Sequence, residues 1–181
     1  RSIDCLPLSG VKQLLEIGFG NGAHLPYLFA KAPHLHYIGI ERSEAMIADA
    51  TALNTELVEQ GKAVFLHALT EGLPPLPYES FGVCFCVNTY YFITNLRAYF
   101  AQVYSLLRQG GSFVLGAIGK EFGERMPFTK EVFTFYTPEQ LQELLLSVGF
   151  TAFDLQTFME EIPTKRGTTI ERPFQVITVR K

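Results

Sequence analysis

No stretch of this 181-residue chain carries the roughly 18 consecutive apolar residues of a membrane span. The opening residues, RSIDCLPLSG, lack the apolar core of a secretory signal. Charge is scarce, at 18% of residues, and the formal net charge is −3 with no cluster of Lys and Arg, so there is no electrostatic footprint for nucleic acid. Cysteine is scarce as well. The three cysteines are an odd count, and Cys84 and Cys86, two apart in an apolar run, fit neither a zinc site nor a redox pair. They read as buried, inert thiols in a cytoplasmic protein. His34 and His36 are also two apart, but no third ligand lies near them, so no metal site is expected. With membrane, secreted and nucleic-acid classes set aside, a chain that is 48% hydrophobic reads as one globular domain over 1–181.

What is present alternates between two hydrophobic periods. Strands are expected over 11–17, 35–41, 63–68, 81–87 and 112–118. Between them, helices are expected over 23–32, over 43–61 with Ser43 as N-cap, and from Asn95 to the Gly110–Gly111 pair. Residues 137–150 give the clearest helix signal: Thr137 caps, Pro138 takes the first helical position, Gln140 completes a capping box and Gly149 stops the turn. Two last strands, 150–159 and 173–180, are joined by a segment too short for a helical crossover, which predicts an antiparallel hairpin. The expected fold class is α/β: a doubly wound, Rossmann-like, mostly parallel seven-stranded sheet with a C-terminal antiparallel hairpin.

The stretch LLEIGFGNGAH, residues 14–24, ends the first strand and sets glycines at 18, 20 and 22. In a doubly wound sheet this is where ligands bind, with glycines letting the backbone approach them. Glu41 closes the second strand, where a carboxylate accepts hydrogen bonds from both hydroxyls of a ribose. Taken alone, Gly18, Gly20, Ala23 and Glu41 satisfy the loose dinucleotide pattern, and Arg42 hints at a ribose phosphate, as in an NAD(P)-dependent oxidoreductase. Glu16 argues otherwise. An acid at the strand exit repels a pyrophosphate and suits the ammonium of an amino-acid moiety.

Together, LLEIGFGNGAHLPYL, IGIERSEAM, the loop and strand EGLPPLPYESFGVCFCVN, and LLRQGGSFVL occur in the order and spacing of a known family. From Val11 to Val179 the chain resembles the class I S-adenosylmethionine-dependent methyltransferases, especially the type 11 group. The resemblance implies S-adenosyl-L-methionine as cofactor and methyl transfer to an unidentified acceptor, expected to be a small molecule. It implies that Glu16 and the backbone of Gly18, Gly20, Asn21 and Gly22 hold the methionine portion, that Glu41 binds the ribose hydroxyls, and that Met46 packs near the adenine; Arg42, next to Glu41, is counted with the cofactor site. Asn88, at the end of the fourth strand, would face the methionine portion or the reacting centre. The family's acid after the third strand is replaced by Ala68 and Leu69, whose backbone would meet the adenine instead. The family's Phe-Asp before the fourth strand is Phe81-Gly82, and Gln109 stands where proline is usual. A catalytically silent cofactor-binding or partner-binding domain is the other reading these departures keep open.

No catalytic base stands out. His24 reads as a helix-start residue and His67 as packing. The acceptor is expected above the fourth and fifth strands, between Tyr90 and Tyr91 and the aromatic-rich connection 119–136, with Phe122, Met126, Phe128, Phe133, Phe135 and Tyr136 either walling a pocket or packing the connection down. Ten residues precede the first strand, which predicts an acceptor site left open on that side or a chain truncated upstream.

Overall fold

A computed structural model describes residues 1–68, 72–126, 129, 133–163 and 169–181. Strands β1 (Gln13–Ile17), β2 (His36–Glu41), β3 (Ala63–His67), β4 (Phe81–Val87), β5 (Leu107–Ile118), β6 (Thr151–Pro163) and β7 (Thr169–Arg180) form one seven-stranded sheet in the order β3-β2-β1-β4-β5-β7-β6. The first five are parallel; β7 is antiparallel to both β5 and β6. This is the doubly wound arrangement with an antiparallel end that the alternation of periods predicts. The order reverses between β1 and β4, and the gap above that reversal is the natural ligand crevice.

Of the two strands at the reversal, β4 is apolar along its whole length because both its faces are covered, and β1 is apolar except at Gln13 and Glu16. Leu14, Leu15, Ile17, Phe81, Val83, Cys84 and Cys86 are fully buried. Burial pushes the Cys84 thiol up and the Cys86 thiol up to about 12, so both stay protonated packing groups. The helices are α1 (Leu25–Lys31), α2 (Glu44–Leu53), α3 (Thr55–Glu59), α4 (Leu96–Leu106), α5 (Lys120–Gly123) and α6 (Pro138–Val148). Helix α6 carries the expected capping box between Thr137 and Gln140, and its buried Leu141 and Leu145 face the core.

Three expectations change. The single helix expected over 43–61 is two, α2 and α3, broken at Asn54. The buried Asn54 amide donates to Ala50 O at 2.9 Å and to Gly22 O at 3.2 Å, tying the helix break to the glycine turn. A side chain that offers backbone carbonyls another donor is a local competitor of the helix. Helix α4 ends at Leu106 rather than at Gly110–Gly111. The glycine pair instead lies inside β5 and pairs with the C-terminal residue: Gly110 N donates to Lys181 O and Lys181 N donates to Gly111 O.

The third change bears on the site. The terminal strands are longer than expected, paired from Thr151–Arg180 to Pro163–Thr169. Strand β5 stops opposite Phe174, so the hairpin overhangs the sheet by the stretches 159–163 and 169–173. Glu160 and Arg172 sit directly opposite each other there and pair at 3.0 Å, a cross-strand contact that holds a polar stretch extended.

The chain start is ordered too. Ser2–Cys5 forms a 3-10 turn. Asp4 fastens it to α1, accepting from the Tyr27 hydroxyl at 2.6 Å and pairing with Lys31 at 2.9 Å. The Tyr27 hydrogen bond, with help from Lys31, holds the Asp4 carboxyl well below the usual carboxylate range. Ser2 is buried against Gly116 of β5, and the Arg1 guanidinium lies 5.4 Å from the centre of the Phe158 ring on β6. This turn and the hairpin overhang both line the β4 end of the sheet.

Candidate functional site

Strand β1 delivers Glu16 to the reversal point with only 3% of its surface exposed. A buried carboxylate needs partners. Its Oε2 accepts from the Tyr37 hydroxyl of β2 at 2.6 Å and meets Nε2 of His24 at 2.7 Å. Burial, and then the Glu16 charge, push the Tyr37 hydroxyl well above its ordinary value, so it remains a donor. For His24, burial works against the charged ring, but the Glu16 hydrogen bond and charge outweigh it and raise the imidazole above its ordinary value.

The turn after β1 has positive φ at Gly18 (78°) and Gly20 (62°). The two glycines are required for different reasons. A Cβ at Gly18 would lie 2.5 Å from Thr89 Oγ1, so this glycine lets the β4 end close onto β1. A Cβ at Gly20 would meet nothing within 4 Å. Space is therefore left over the Gly20 backbone, a cradle that fits a ligand lying on the main chain.

Gly20 N donates to Glu41 Oε2 at 3.0 Å, and Arg42 N and Ser43 N donate to Glu41 Oε1 at 2.8 and 3.1 Å. Glu41, 8% exposed, thus ties the end of β2 to the glycine turn. A carboxylate accepts about four hydrogen bonds, so three backbone donors leave it part of its capacity.

A cavity of about 390 Å³ opens beneath the turn. The glycine side gives it Glu16, Gly18, Phe19, Gly20 and His24; β4 gives Phe85, Val87 and Asn88. The 3-10 turn brings Arg1, Ser2 and Ile3, and the overhanging hairpin brings Glu160, Arg172 and Phe174.

Of the residues expected from sequence, the cavity brings together Glu16, Gly18, Gly20 and Asn88. Asn21 is exposed in the same turn and accepts from Ala23 N at 3.2 Å. Gly22 faces Ala50 and Asn54 behind the turn. Arg42 and Met46 are exposed at the end of β2 and on α2, on the Glu41 side. Ala68 N donates to Glu41 O at 3.1 Å. Leu69 and Phe128 lie outside the described residues.

The residues expected to meet the acceptor are placed differently. Tyr90 and Tyr91 are buried, with 1% and 2% exposure, and neither lines the cavity. The Tyr91 hydroxyl accepts from Ile118 N at 2.7 Å and donates to Asn88 Oδ1 at 2.9 Å. Tyr91 therefore reaches the cavity only through Asn88, which has φ of +54°. Burial pushes the Tyr90 hydroxyl up to about 12; it accepts from Tyr136 N at 3.4 Å. Phe133 stacks on Tyr91 at 5.5 Å between ring centres and Phe135 packs against it at a tilt at 4.7 Å, while Met126 and Tyr136 are half-buried against the core. These side chains pack the connection down rather than wall the cavity. Among the described residues, no three His, Cys, Asp or Glu side chains gather to hold a metal.

Sequence reasoning missed His24 as a cavity residue, along with the 3-10 turn and Glu160, Arg172 and Phe174. An eight-residue offset between Glu16 and His24 has no helical or strand period, so only the turn's path brings them together. Glu160 and Arg172 sit in a polar, Pro-flanked stretch that reads as a loop, while Phe174 lies in the expected last strand with nothing to mark it as a cavity residue.

Comparisons agree with this fold. No curated protein matches the chain by sequence. Solved structures of the same fold include the YcgJ protein of Bacillus subtilis, 17% identical over 94% of this chain and 92% of that one, with a TM-score of 0.74. An S-adenosylmethionine-dependent methyltransferase of Mesorhizobium loti is 18% identical over 99% and 95%, with a TM-score of 0.74. A further S-adenosylmethionine-dependent methyltransferase, from Thermotoga maritima, is 24% identical over 99% and 87%, with a TM-score of 0.70. The type 11 methyltransferase-domain profile matches residues 15–115, from inside β1 through the glycine turn and Glu41 to β5. A seven-stranded sheet of this order, a glycine turn between two buried acids and that match together place the chain in the methyltransferase domain family, type 11, of the class I fold.

Proposed function

We propose that this chain, as a single domain, is an S-adenosylmethionine-dependent methyltransferase acting on a small-molecule acceptor. The observation that carries the reading is the pair of buried carboxylates on either side of one open glycine turn. Glu16 sits in the cavity wall below Gly20, and Glu41 holds the Gly20 amide from the other side. A dinucleotide's pyrophosphate would meet the Glu16 charge at close range, whereas the ammonium of a methionyl group would be attracted by it. Glu41 keeps acceptor capacity for ribose hydroxyls.

Bound S-adenosylmethionine supplies a methyl group already activated by its sulfonium. The chain's own part is to bind, align and exclude water. Glu16 anchors the ammonium, and the Gly18–Gly20 backbone lets the ligand lie close. Phe85 and Phe174 give the cavity apolar walls that keep water out. Asn88, fixed by Tyr91, offers an amide that can orient a polar group of the acceptor. Proximity and orientation of this kind supply up to about 7–11 kcal/mol of a barrier. The cavity volume and the turn and hairpin that bound it favour a small acceptor over a macromolecular one.

Calorimetry with S-adenosylmethionine, S-adenosylhomocysteine, NAD and NADP tests the cofactor. Binding of the first two and not the last two is expected. Binding of NADP with none of S-adenosylhomocysteine would reverse the assignment to an oxidoreductase. A screen of small acceptors with a labelled methyl donor then tests the reaction.

A further inference from the structure

Glu16 and His24 stand side by side on the cavity wall under the glycine turn. Their oxygen and nitrogen are 2.7 Å apart, and both residues line the cavity. The Tyr37 hydroxyl holds Glu16 from behind and can only donate to it. The cavity's other ion pair, Glu160 with Arg172, is satisfied within itself at 3.0 Å on the hairpin side. His24 spends Nε2 on Glu16; Nδ1 has no hydrogen-bond partner among the described residues and is not among the buried atoms left unpaired, so it is open toward solvent.

A methionyl group carries an ammonium and a carboxylate on the same carbon. An acid alone on the wall would attract the first and repel the second. We infer that His24 receives the carboxylate of the cofactor's methionyl end through its free ring nitrogen while Glu16 takes the ammonium, so that the pair reads the whole zwitterion. This rests on the cofactor reading above and adds to it a residue that sets specificity for the amino-acid end. The contact with Glu16 raises the imidazole above its ordinary value, favouring the charged ring, and an imidazolium hydrogen bond to a carboxylate is of the stronger, charge-assisted kind.

The test uses three ligands that share the adenosine: S-adenosylmethionine, decarboxylated S-adenosylmethionine, which keeps the ammonium and lacks the carboxylate, and methylthioadenosine, which lacks both. Calorimetry is run on the unaltered chain and on His24→Gln, whose amide retains a donor for Glu16 but carries no charge. The unaltered chain is expected to bind S-adenosylmethionine at least about tenfold more tightly than the decarboxylated ligand. In His24→Gln that preference should shrink to about twofold or less, with methylthioadenosine affinity unchanged. A preference that survives the substitution overturns the inference, as does an equal loss for all three ligands. Binding of none of the three by the unaltered chain overturns the cofactor reading and this inference with it; binding without the expected preference overturns the inference alone.

Discussion

The two sides of the cavity are built in different ways. The glycine side is local: Glu16, Gly18, Gly20 and His24 come from one strand exit and its turn, and Glu41 of the next strand in the sheet holds that turn through the Gly20 amide without lining the cavity. The opposite side is assembled from distant chain segments: Ser2 and Ile3 from the start, Asn88 from the middle, Glu160, Arg172 and Phe174 from the end. Local construction fixes geometry through backbone dihedrals and short hydrogen bonds. Long-range construction fixes it through packing, and leaves the choice of side chains free. A site that holds one invariant cofactor and a particular acceptor suits that division: the donor side can be written into a motif, and the acceptor side can vary with whatever crosses the sheet end.

The largest effect expected from breaking the donor side is at Gly20. Gly20→Val puts a β-branched residue at φ of 62°, costing about 1–3 kcal/mol of backbone strain, and fills the open cradle. S-adenosylhomocysteine affinity should fall by about 100-fold or more while the chain stays folded, read by calorimetry beside a thermal melt. A folded variant that binds normally would show that the ligand does not lie on this turn.

Glu41→Ala comes next. It removes the acceptor for three backbone N–H groups and, on the proposed function, a ribose contact as well. Affinity should drop at least about tenfold, since hydrogen bonds to charged groups contribute about 1.5–3 kcal/mol. Loss of stability should accompany it, because the turn and the β2 end come apart together. A stability loss with affinity intact would confine Glu41 to the turn.

Tyr91→Phe sharpens the comparison from the other side. It releases Asn88 and leaves the Ile118 N–H without its acceptor, a cost of about 1–3 kcal/mol in stability. Methyl transfer should fall several-fold with S-adenosylhomocysteine affinity within about twofold of the unaltered chain. Equal losses in transfer and cofactor affinity would mean that the two sides are not separable.

The smallest effect is in pH. The folded-state pKa of His24 is raised, so its pairing with Glu16 contributes fully at pH below the ordinary imidazole value of about 6.5 and is lost as pH rises through the raised value. Denaturant midpoints should therefore decline gently across that window on the basic side, and His24→Gln should flatten the decline. An undiminished decline in His24→Gln would assign it to another group.

Much of the glycine side was legible because its constraints are short-range. Positive φ at Gly18 and Gly20, the apolar run into Glu16 and the capping box of α6 leave direct marks on residue type. The helix expected over 43–61 failed where one side chain, Asn54, found a partner in Gly22, 32 positions away in sequence. Tyr90 and Tyr91 read as acceptor contacts because aromatics after a strand end serve walls and cores alike. Burial decided for the core, and left Asn88 as the group they support.

The sequence by itself determined the order of strands and helices, the place of the glycine turn and the two acids that flank it, since periodicity and backbone conformation are properties of neighbouring residues. Only the tertiary structure decided that the chain start and the hairpin overhang close over the β4 end, and that His24 stands against Glu16. Those contacts join residues with no shared period, and they exist because the sheet brings the ends of β1, β4 and β5 and the overhanging hairpin to one edge.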